Sequence, residues 1–337
     1  MTPHKLSFGY LYDFRNPEQW RRPWHGVYEE TLDVIAWSET VGFRGAWVPE
    51  HHGADDGYMP TPNLALAAIA ARTSTIRIGA AIAIAPLYHP VRFAEECAVL
   101  DILSGGRLET AVAIGYRHRE YDMHGVQFNQ RGSRFDEFLH IVRALWAGET
   151  VTFAGRHYTV KDARITPAPP RGALPLYIGG FTERALERVA THADGYFGNE
   201  EVCELYLEKL RQHGRALDQA AIRIPGLFLT VAADPEQAME ELAPYYHHVF
   251  SCYGAWMNED NAIGMDSPAT QAMDIDTFKQ SGIVQIMTPE QAVGHFKAMQ
   301  ERIPLEHFMM MRPPGLPAER FVEYAQLFAD KVIPAFT

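Results

Sequence analysis

One repeated unit constrains this chain more than anything else in it. A short apolar run that reads as a β-strand is followed, again and again, by a longer stretch with apolar residues at helical spacing. Lys5–Tyr12 alternates and predicts the first strand, and Tyr28–Thr40, with Leu32, Ile35 and Ala36 on one face, predicts the first helix. Ala46–Val48 is the second strand and Asn63–Arg72 its helix. Ile76–Ala85 (IRIGAAIAIA) is the third, apolar on both faces, and His89-Pro90 opens a helix that runs to Leu103. Arg107–Gly115, Leu174–Gly180, Gly195–Gly198, Ile222–Val231 and Leu305–Arg312 are the remaining strands. Their helices fall at Ser133–Trp146, Thr182–Ala193, Glu201–Gly214, Pro235–Val249 and Pro317–Val332, with a hairpin at Thr150–Val160 that turns at Gly155-Arg156. Strands alternating with helices pair in parallel through right-handed crossovers, and eight such units close into a (β/α)8 TIM barrel. The expectation is one α/β domain over residues 1–337. An open doubly wound sheet is the weaker alternative, because no Gly-x-Gly-x-x-Gly follows the first strand. Residues 250–283, with Trp256, Asn258, Asp260, Met265 and Met273, lack periodicity and read as an inserted lid over the mouth, or else as an oligomer contact or surface loop.

Composition excludes several classes of function. The 337 residues are 47% hydrophobic and 21% charged with a formal net charge of -12, which argues against a nucleic-acid or anionic-membrane partner. Cys97, Cys203 and Cys252 lie far apart, without metal-ligand spacing, and read as reduced thiols. The opening residues lack a secretory apolar core and no apolar run reaches membrane-spanning length, so a soluble cytoplasmic protein is expected.

Polar residues just after a strand of such a barrel sit at the mouth, where ligands bind. Glu50-His51-His52 follows the second strand, and Pro49 ends that strand's ladder. The two imidazoles point opposite ways, so at most one faces the barrel axis. No third metal ligand is spaced to join them, and no metal is expected; a turn or helix-capping cluster is the bland alternative. Gly179-Gly180-Phe181-Thr182 ends a strand where a helix begins. The missing side chains and the helix amides suit a phosphate, although a tight turn with a threonine cap would look the same. After the fourth strand comes Ala113-Ile114-Gly115-Tyr116-Arg117-His118-Arg119-Glu120-Tyr121. Gly115 lets a ligand approach, and Arg117 suits a phosphate or carboxylate, while Arg119 and Glu120 read equally well as a surface pair. Ala80, Ala81 and Ile82 offer a flat apolar wall for a planar ring, or simply core. Tyr10, Tyr12, Trp47, Tyr58, Tyr116, Phe197 and Trp256 are candidates for an apolar pocket or for core.

The segments GFRGAWVPEHH, TSTIRIGAAIAIAPLYHPVRFAEECAVLDILSGGRLETAVAIGY, PLYIGGFTERALERVATHADGYFGN and MTPEQAVGHF resemble the bacterial luciferase-like flavin-dependent oxidoreductases, and the likeness runs through nearly the whole chain. The resemblance implies a TIM barrel that binds FMN, or in some branches a deazaflavin, at the carboxyl end of its strands. In the two-component members a separate reductase supplies reduced FMN, and O2 adds to the flavin as a C4a-peroxide that oxygenates a small organic substrate. His51 matches the active-site histidine beside the flavin, with proton transfer as its role, a task suited to a group that titrates near neutral pH. Glu50 is then expected to orient that imidazole or to shape the strand end. Ala81-Ile82 matches a position where relatives carry a non-prolyl cis bond behind the ring, and Gly180, Phe181 and Thr182 match the phosphate turn. The chain departs from luciferase itself at Ala113, where that enzyme has a reactive cysteine, and at Ile114, where it has an arginine. Light emission is therefore not expected, and phosphate charge must be met elsewhere, at Arg117 or Arg184.

These readings lead to an FMN-dependent monooxygenase using externally reduced flavin and O2, with a flavin reductase as transient partner. The alternatives are a deazaflavin-dependent dehydrogenase, which the net acidity disfavours, and a non-catalytic flavin-binding subunit, which the presence of His51 disfavours. A homodimer is expected by resemblance. The catalytic assignment requires the imidazole of His51 and the amides near Gly180 to open onto a common cavity.

Overall fold

Strands that are apolar on both faces need cover on both, and this chain provides it by closing them into a ring. The computed structural model describes residues 5–260 and 272–337. The ring contains β1 (Ser7–Leu11), β2 (Gly45–Val48), β3 (Arg77–Ala80, resuming at Ala83–Ile84), β4 (Thr110–Ala113), β5 (Leu176–Ile178), β6 (Gly195–Phe197), β7 (Ile222–Pro225) and β8 (Leu305–Met311). Neighbours are parallel throughout, and the ring closes where Ser7 of β1 faces His307 of β8. The first half of β3 pairs with β2 and the second with β4, and a bridge from Ile78 to Leu108 spans the break. Around the ring run α1 (Trp24–Thr40), α2 (Pro62–Arg72), α3 (Pro90–Leu103), α4 (His118–Met123), α5 (Arg131–Trp146), α6 (Glu183–His192), α7 (Cys203–Gln212), α8 (Pro235–Asp260), α9 (Ile275–Gln280), α10 (Pro289–Arg302) and α11 (Ala318–Lys331). No described helix is long and apolar enough to cross a membrane.

The (β/α)8 expectation holds, with local corrections that have physical causes. Ile76–Ala85 is not one strand; it breaks at Ala81-Ile82, whose peptide bond is cis. Ile222–Val231 also divides, because Pro225 has no N–H to continue the ladder. Its second part, Leu229–Val231, pairs instead with Gln285–Met287 in a separate two-stranded parallel sheet. Helix α8 does not stop at Val249 but carries its pattern on to Asp260, with Pro244 inside it. Residues 250–260 of the expected lid are thus the far part of a helix; residues 261–271, Met265 among them, lie outside the described residues. Helices α4 and α10 were not expected. The second has a full capping box, the Thr288 side chain accepting from Gln291 and the Gln291 side chain reaching back, with Pro289 in the first turn.

The lower half of the barrel holds a polar plug. Arg223 of β7 reaches across the ring to Glu109, which precedes β4, making two hydrogen bonds to its carboxylate, and it donates to the Tyr177 hydroxyl at 2.6 Å. Trp47 Nε1 donates to His307 Nε2 at 2.8 Å, and burial pushes that imidazole's pKa well below its usual value, so it stays neutral and can accept. Trp47 is therefore barrel filling rather than pocket wall.

A second charged cluster fastens α8 over the mouth. Asp56 Oδ2 lies 2.6 Å from Arg15 Nη2 and 2.9 Å from His248 Nε2 on α8, and Cys252 Sγ lies 3.7 Å from the same nitrogen. One turn on, Tyr253 pairs with Tyr58 hydroxyl to hydroxyl at 2.8 Å. Burial works against the Asp56 charge, but hydrogen bonds from His248 and Arg15 bring its pKa down to about 2. Burial likewise works against the His248 charge, yet Asp56 raises its pKa to about 9. Asp56, His248 and Cys252 also have metal-ligand atoms within 4.8 Å of one another. The Arg15 guanidinium already occupies the shared carboxylate oxygen, so the cluster is an ion-pair network.

Two outcomes are expected. Glu109→Leu takes the two close carboxylate bonds from buried Arg223, leaving Glu306 at 3.6 Å as its counter-charge, and should lower unfolding stability by roughly 3 kcal/mol, recovered in good part by adding Arg223→Met, as read from urea midpoints. The His248 contribution is fully present below its unfolded pKa and is lost as pH rises through about 9, whereas that of Asp56 is lost only as pH falls through about 2. Amide protection in residues 245–256, corrected for the intrinsic rise of exchange with pH, should fall between pH about 7 and about 10, and at neutral pH in His248→Ala; unchanged protection in both comparisons would refute the fastening.

Candidate active site

The strand ends open into a cavity of about 520 Å³ that crosses the whole mouth, within the usual range for small-molecule sites. One end lies outside β5, where α6 begins. Gly180 there has φ of 140°, open to glycine but strained for other residues, and an added Cβ at that position would meet Ala185 at 2.6 Å. Its neighbour Gly179 leaves room for the Ile82 side chain, which an added Cβ would strike at 2.3 Å. The Tyr196 hydroxyl holds the turn by donating to the Gly180 carbonyl at 3.0 Å, and Thr182 caps α6 by accepting from the Ala185 amide at 3.3 Å. Two cations face this end: Arg188 of α6, held by Asp136 through Nε at 2.6 Å, and Arg131 at the start of α5, stacked on the Phe128 ring at 3.7 Å. Arg131 Nε is buried without a protein partner among the described residues. Along the middle run Ala81 and Ile82 with their cis bond, Ala113, Gly115 with φ of 67°, and Tyr116. The Tyr121 hydroxyl pins the Ile114 carbonyl and so fixes the Gly115 turn.

Around Glu50-His51-His52 the structure redraws the expected roles. The partner of His51 is Glu120 of α4: the carboxylate meets Nδ1 at 2.9 Å, accepts from the His52 amide at 3.1 Å, and takes Arg117 Nη1 at 3.3 Å. Burial pushes the Glu120 carboxyl up, but the hydrogen bonds from His51 and the His52 amide, with the charge of Arg117, outweigh it and hold its pKa below the usual carboxylate value. A carboxylate at Nδ1 leaves the basic lone pair of a neutral imidazole on Nε2. Glu50 does not orient His51. It bonds His52 Nε2 at 2.9 Å through one oxygen and accepts from the Ile84 amide at 2.7 Å through the other, which leaves it the expected alternative of shaping the strand ends.

His51 is also not in the cavity wall, as the catalytic assignment required. It is 8% exposed and lies behind Tyr116 and Tyr253, whose rings line the cavity and meet it edge-on at 5.9 Å. Tyr58 covers it at 4.8 Å and Trp256 at 5.0 Å. The cause is the continuation of α8, which brings Tyr253 and Trp256 over the histidine.

Of the expected cofactor residues, Ala81, Ile82, Ala113, Gly115, Tyr116, Gly179, Gly180, Phe181 and Thr182 share the cavity. Ala80 is buried core beside it. Arg117 is turned away from any phosphate: it is buried against Glu120 and the His52 carbonyl, with its guanidinium 4.1 Å from the Trp256 ring. Arg184 points to solvent near Asp136. Glu120 is no surface group, being fully buried. Reading the sequence missed Arg131, Arg188, Glu120 and Tyr253. Arg188 was within reach, since it falls on the inner face of the helix that follows the glycine turn; the others depend on tertiary packing. Tyr116 and Phe197 line the cavity as the aromatic list allowed, while Tyr10, Tyr12 and Tyr58 are core.

The geometry fits a planar ring with an anionic tail: a glycine cradle at a helix N-terminus, two arginines beside it, and a side-chain-poor wall at Ala81-Ile82. A model of the luciferase-like monooxygenase family matches residues 6–307. Limonene 1,2-monooxygenase of Rhodococcus erythropolis is 25% identical over 337 residues, covering 93% of this chain and 84% of its own length. The oxygenase component of the flavin-dependent trigonelline monooxygenase of Acinetobacter baylyi is 23% identical over 331 residues, covering 92% of this chain and 90% of its own. Among solved structures, monooxygenase RslO1 of Streptomyces bottropensis superimposes with a TM-score of 0.83 at 19% identity, over 98% of this chain and 100% of its own. An F420-dependent secondary alcohol dehydrogenase gives 0.77 at 19% identity over 99% of both chains. The oxygenating constituent of 3,6-diketocamphane monooxygenase from Pseudomonas putida, in complex with FMN, gives 0.75 at 17% identity over 98% of both. At such identities the structural likeness speaks for the fold alone. The family match covers most of the sequence: this chain belongs to the luciferase-like monooxygenases.

Proposed function

We propose that the chain is the oxygenating component of a two-component FMN-dependent monooxygenase, taking reduced flavin from a separate reductase and using O2 on a small organic substrate. The observation that carries this reading is the cavity itself, with a glycine turn, the α6 N-terminus and two arginines at one end and the flat Ala81-Ile82 wall along its middle. Bound reduced flavin would supply the electrons and the site at which O2 is activated. The protein's part is to hold, shield and supply protons. Arg188, fixed by Asp136, and Arg131 would bind the phosphate beside the α6 amides. Ile82 and Gly179 interlock to keep the ring's wall flat. Tyr116 and Tyr253 exclude water from the side where the proton-handling pair lies. On this reading His51, with its tautomer set by Glu120, acts from behind one layer of rings as a positioning residue for Tyr116 and Tyr253, while hydrogen bonds from His51 and the His52 amide, with the charge of Arg117, keep Glu120 ionised. A non-catalytic flavin-binding subunit would have no use for such a buried carboxylate–imidazole pair.

Anaerobic titration with reduced FMN and with a reduced deazaflavin tests the cofactor. FMN is expected to bind more tightly, and Arg188→Leu to weaken it by about tenfold or more. Tighter binding of the deazaflavin would favour a hydride-transferring dehydrogenase instead. For the proton pair, His51→Ala is expected to lower turnover by roughly 10²–10⁴-fold with flavin affinity retained, and Glu120→Gln to displace the pH–rate profile. Full turnover in His51→Ala would remove the role.

A further inference from the structure

The two ends of the cavity are chemically opposite. At the α6 end stand Arg131 and Arg188, which are the charged side chains of the cavity wall among the described residues. Across the mouth the wall is made by Leu11 of β1, Pro225 of β7, Leu227 just beyond it, Met309 of β8 and the ring of Tyr253 from α8. In the ring order β8 and β1 lie opposite β4 and β5, so this second end is separated from the arginines by the breadth of the barrel. The nearest ion pairs do not face it. His51 and Glu120 lie behind Tyr116 and Tyr253, and Arg15 and Asp56 are bound to each other and to His248 behind Tyr58.

From this segregation, and resting on the flavin reading above, we infer that the substrate is a neutral, predominantly apolar molecule seated against Leu11, Leu227, Met309 and Tyr253. The tail of a phosphorylated cofactor takes the cationic end and its ring takes the Ala81-Ile82 wall, which leaves the Leu227 end for the molecule to be oxidised. A carboxylate or sulfonate placed there would leave water and meet no cation of the cavity wall among the described residues, at a cost of several kcal/mol in such surroundings. An aliphatic or alicyclic aldehyde, ketone or alkene gives up at most a carbonyl's hydrogen bond to water there and gains contact area. Leu227 and Tyr253 are thereby specificity-determining residues. Leu227 comes from the segment that leaves the barrel after Pro225, and Tyr253 from the helix fastened by His248, so neither shapes the cofactor end.

Matched probes test the inference. Decanal and cyclohexanone, against decanoate and cyclohexanecarboxylate, are titrated into the protein with and without saturating FMN, following tryptophan and tyrosine fluorescence. The neutral member of each pair is expected to bind at least about tenfold more tightly. Leu227→Glu should reduce neutral-probe affinity by about tenfold or more while FMN affinity changes by less than about twofold. Because Leu227 is only partly buried, the variant is expected to fold, which circular dichroism confirms. Carboxylates that bind as tightly as their neutral partners, carboxylate binding that falls in Arg188→Leu and not in Leu227→Glu, or no saturable neutral binding at all would each overturn it. The two readings fail separately. Neutral preference without FMN affinity sinks the flavin reading and leaves only the apolar selectivity of the Leu227 end, whereas FMN affinity without neutral preference sinks this inference and leaves the flavin reading standing.

Discussion

The strands of the ring pair with one another almost all the way round, with Ser7 beside His307 as one register and the Ile78–Leu108 bridge spanning the break in β3, so the sheet is nearly closed and the carboxyl ends reach the same rim. The residues that follow the short strands are therefore brought together whatever their separation in sequence. Ala81-Ile82, Gly115, Gly179-Gly180 and Tyr196 become neighbours through closure, while the Glu109–Arg223 pair and Trp47 fill the barrel beneath them. A buried ion pair of this kind is weak evidence of added stability, but it is costly to break. It fills the amino-terminal half with packed, paired side chains and leaves the other half to shape a cavity.

Charge is then sorted around that cavity instead of being spread over it. Arg131 and Arg188 stand at the end where α6 points its free amides, and helix and side chains favour the same ligand charge. On the other side, ionised groups are present but wired among themselves: Glu120 takes His51, Arg117 and the His52 amide, and Asp56 takes Arg15 and His248. Aromatic rings from α8 and its partners separate those networks from the cavity. An apolar chamber can thus lie one ring away from a carboxylate–imidazole pair, and the properties of each are protected from the other.

How much of this was legible in the sequence follows from the range of each interaction. Strand alternation, helix periodicity, the Gly179-Gly180 turn and the Thr182 cap are local, and they were read nearly as the structure has them. The capping box at Thr288 and Gln291 is just as local, and it marks α10 plainly once sought. Glu120 was not legible as the partner of His51, because 69 residues separate them and only α4 folding back beside β2 joins them. Glu50, adjacent in sequence, was the natural candidate for that role, yet its side chain leaves the strand end toward His52 and the Ile84 amide. Arg117 had the right chemistry for a phosphate but the wrong direction, being turned back over Glu120 beneath Trp256.

The sequence by itself determined the eight strand–helix units, and hence the barrel, the rim, and the side-chain-poor turns on it, since each depends on backbone preference and apolar pattern within a few residues. Only the tertiary structure decided which charges face the cavity. The aim of Arg188, the partner of His51 and the cover of Tyr253 and Trp256 are set by how helices α4, α5, α6 and α8 pack against the ring. Packing of that kind is a balance of many long-range contacts, and no single stretch of residues carries it.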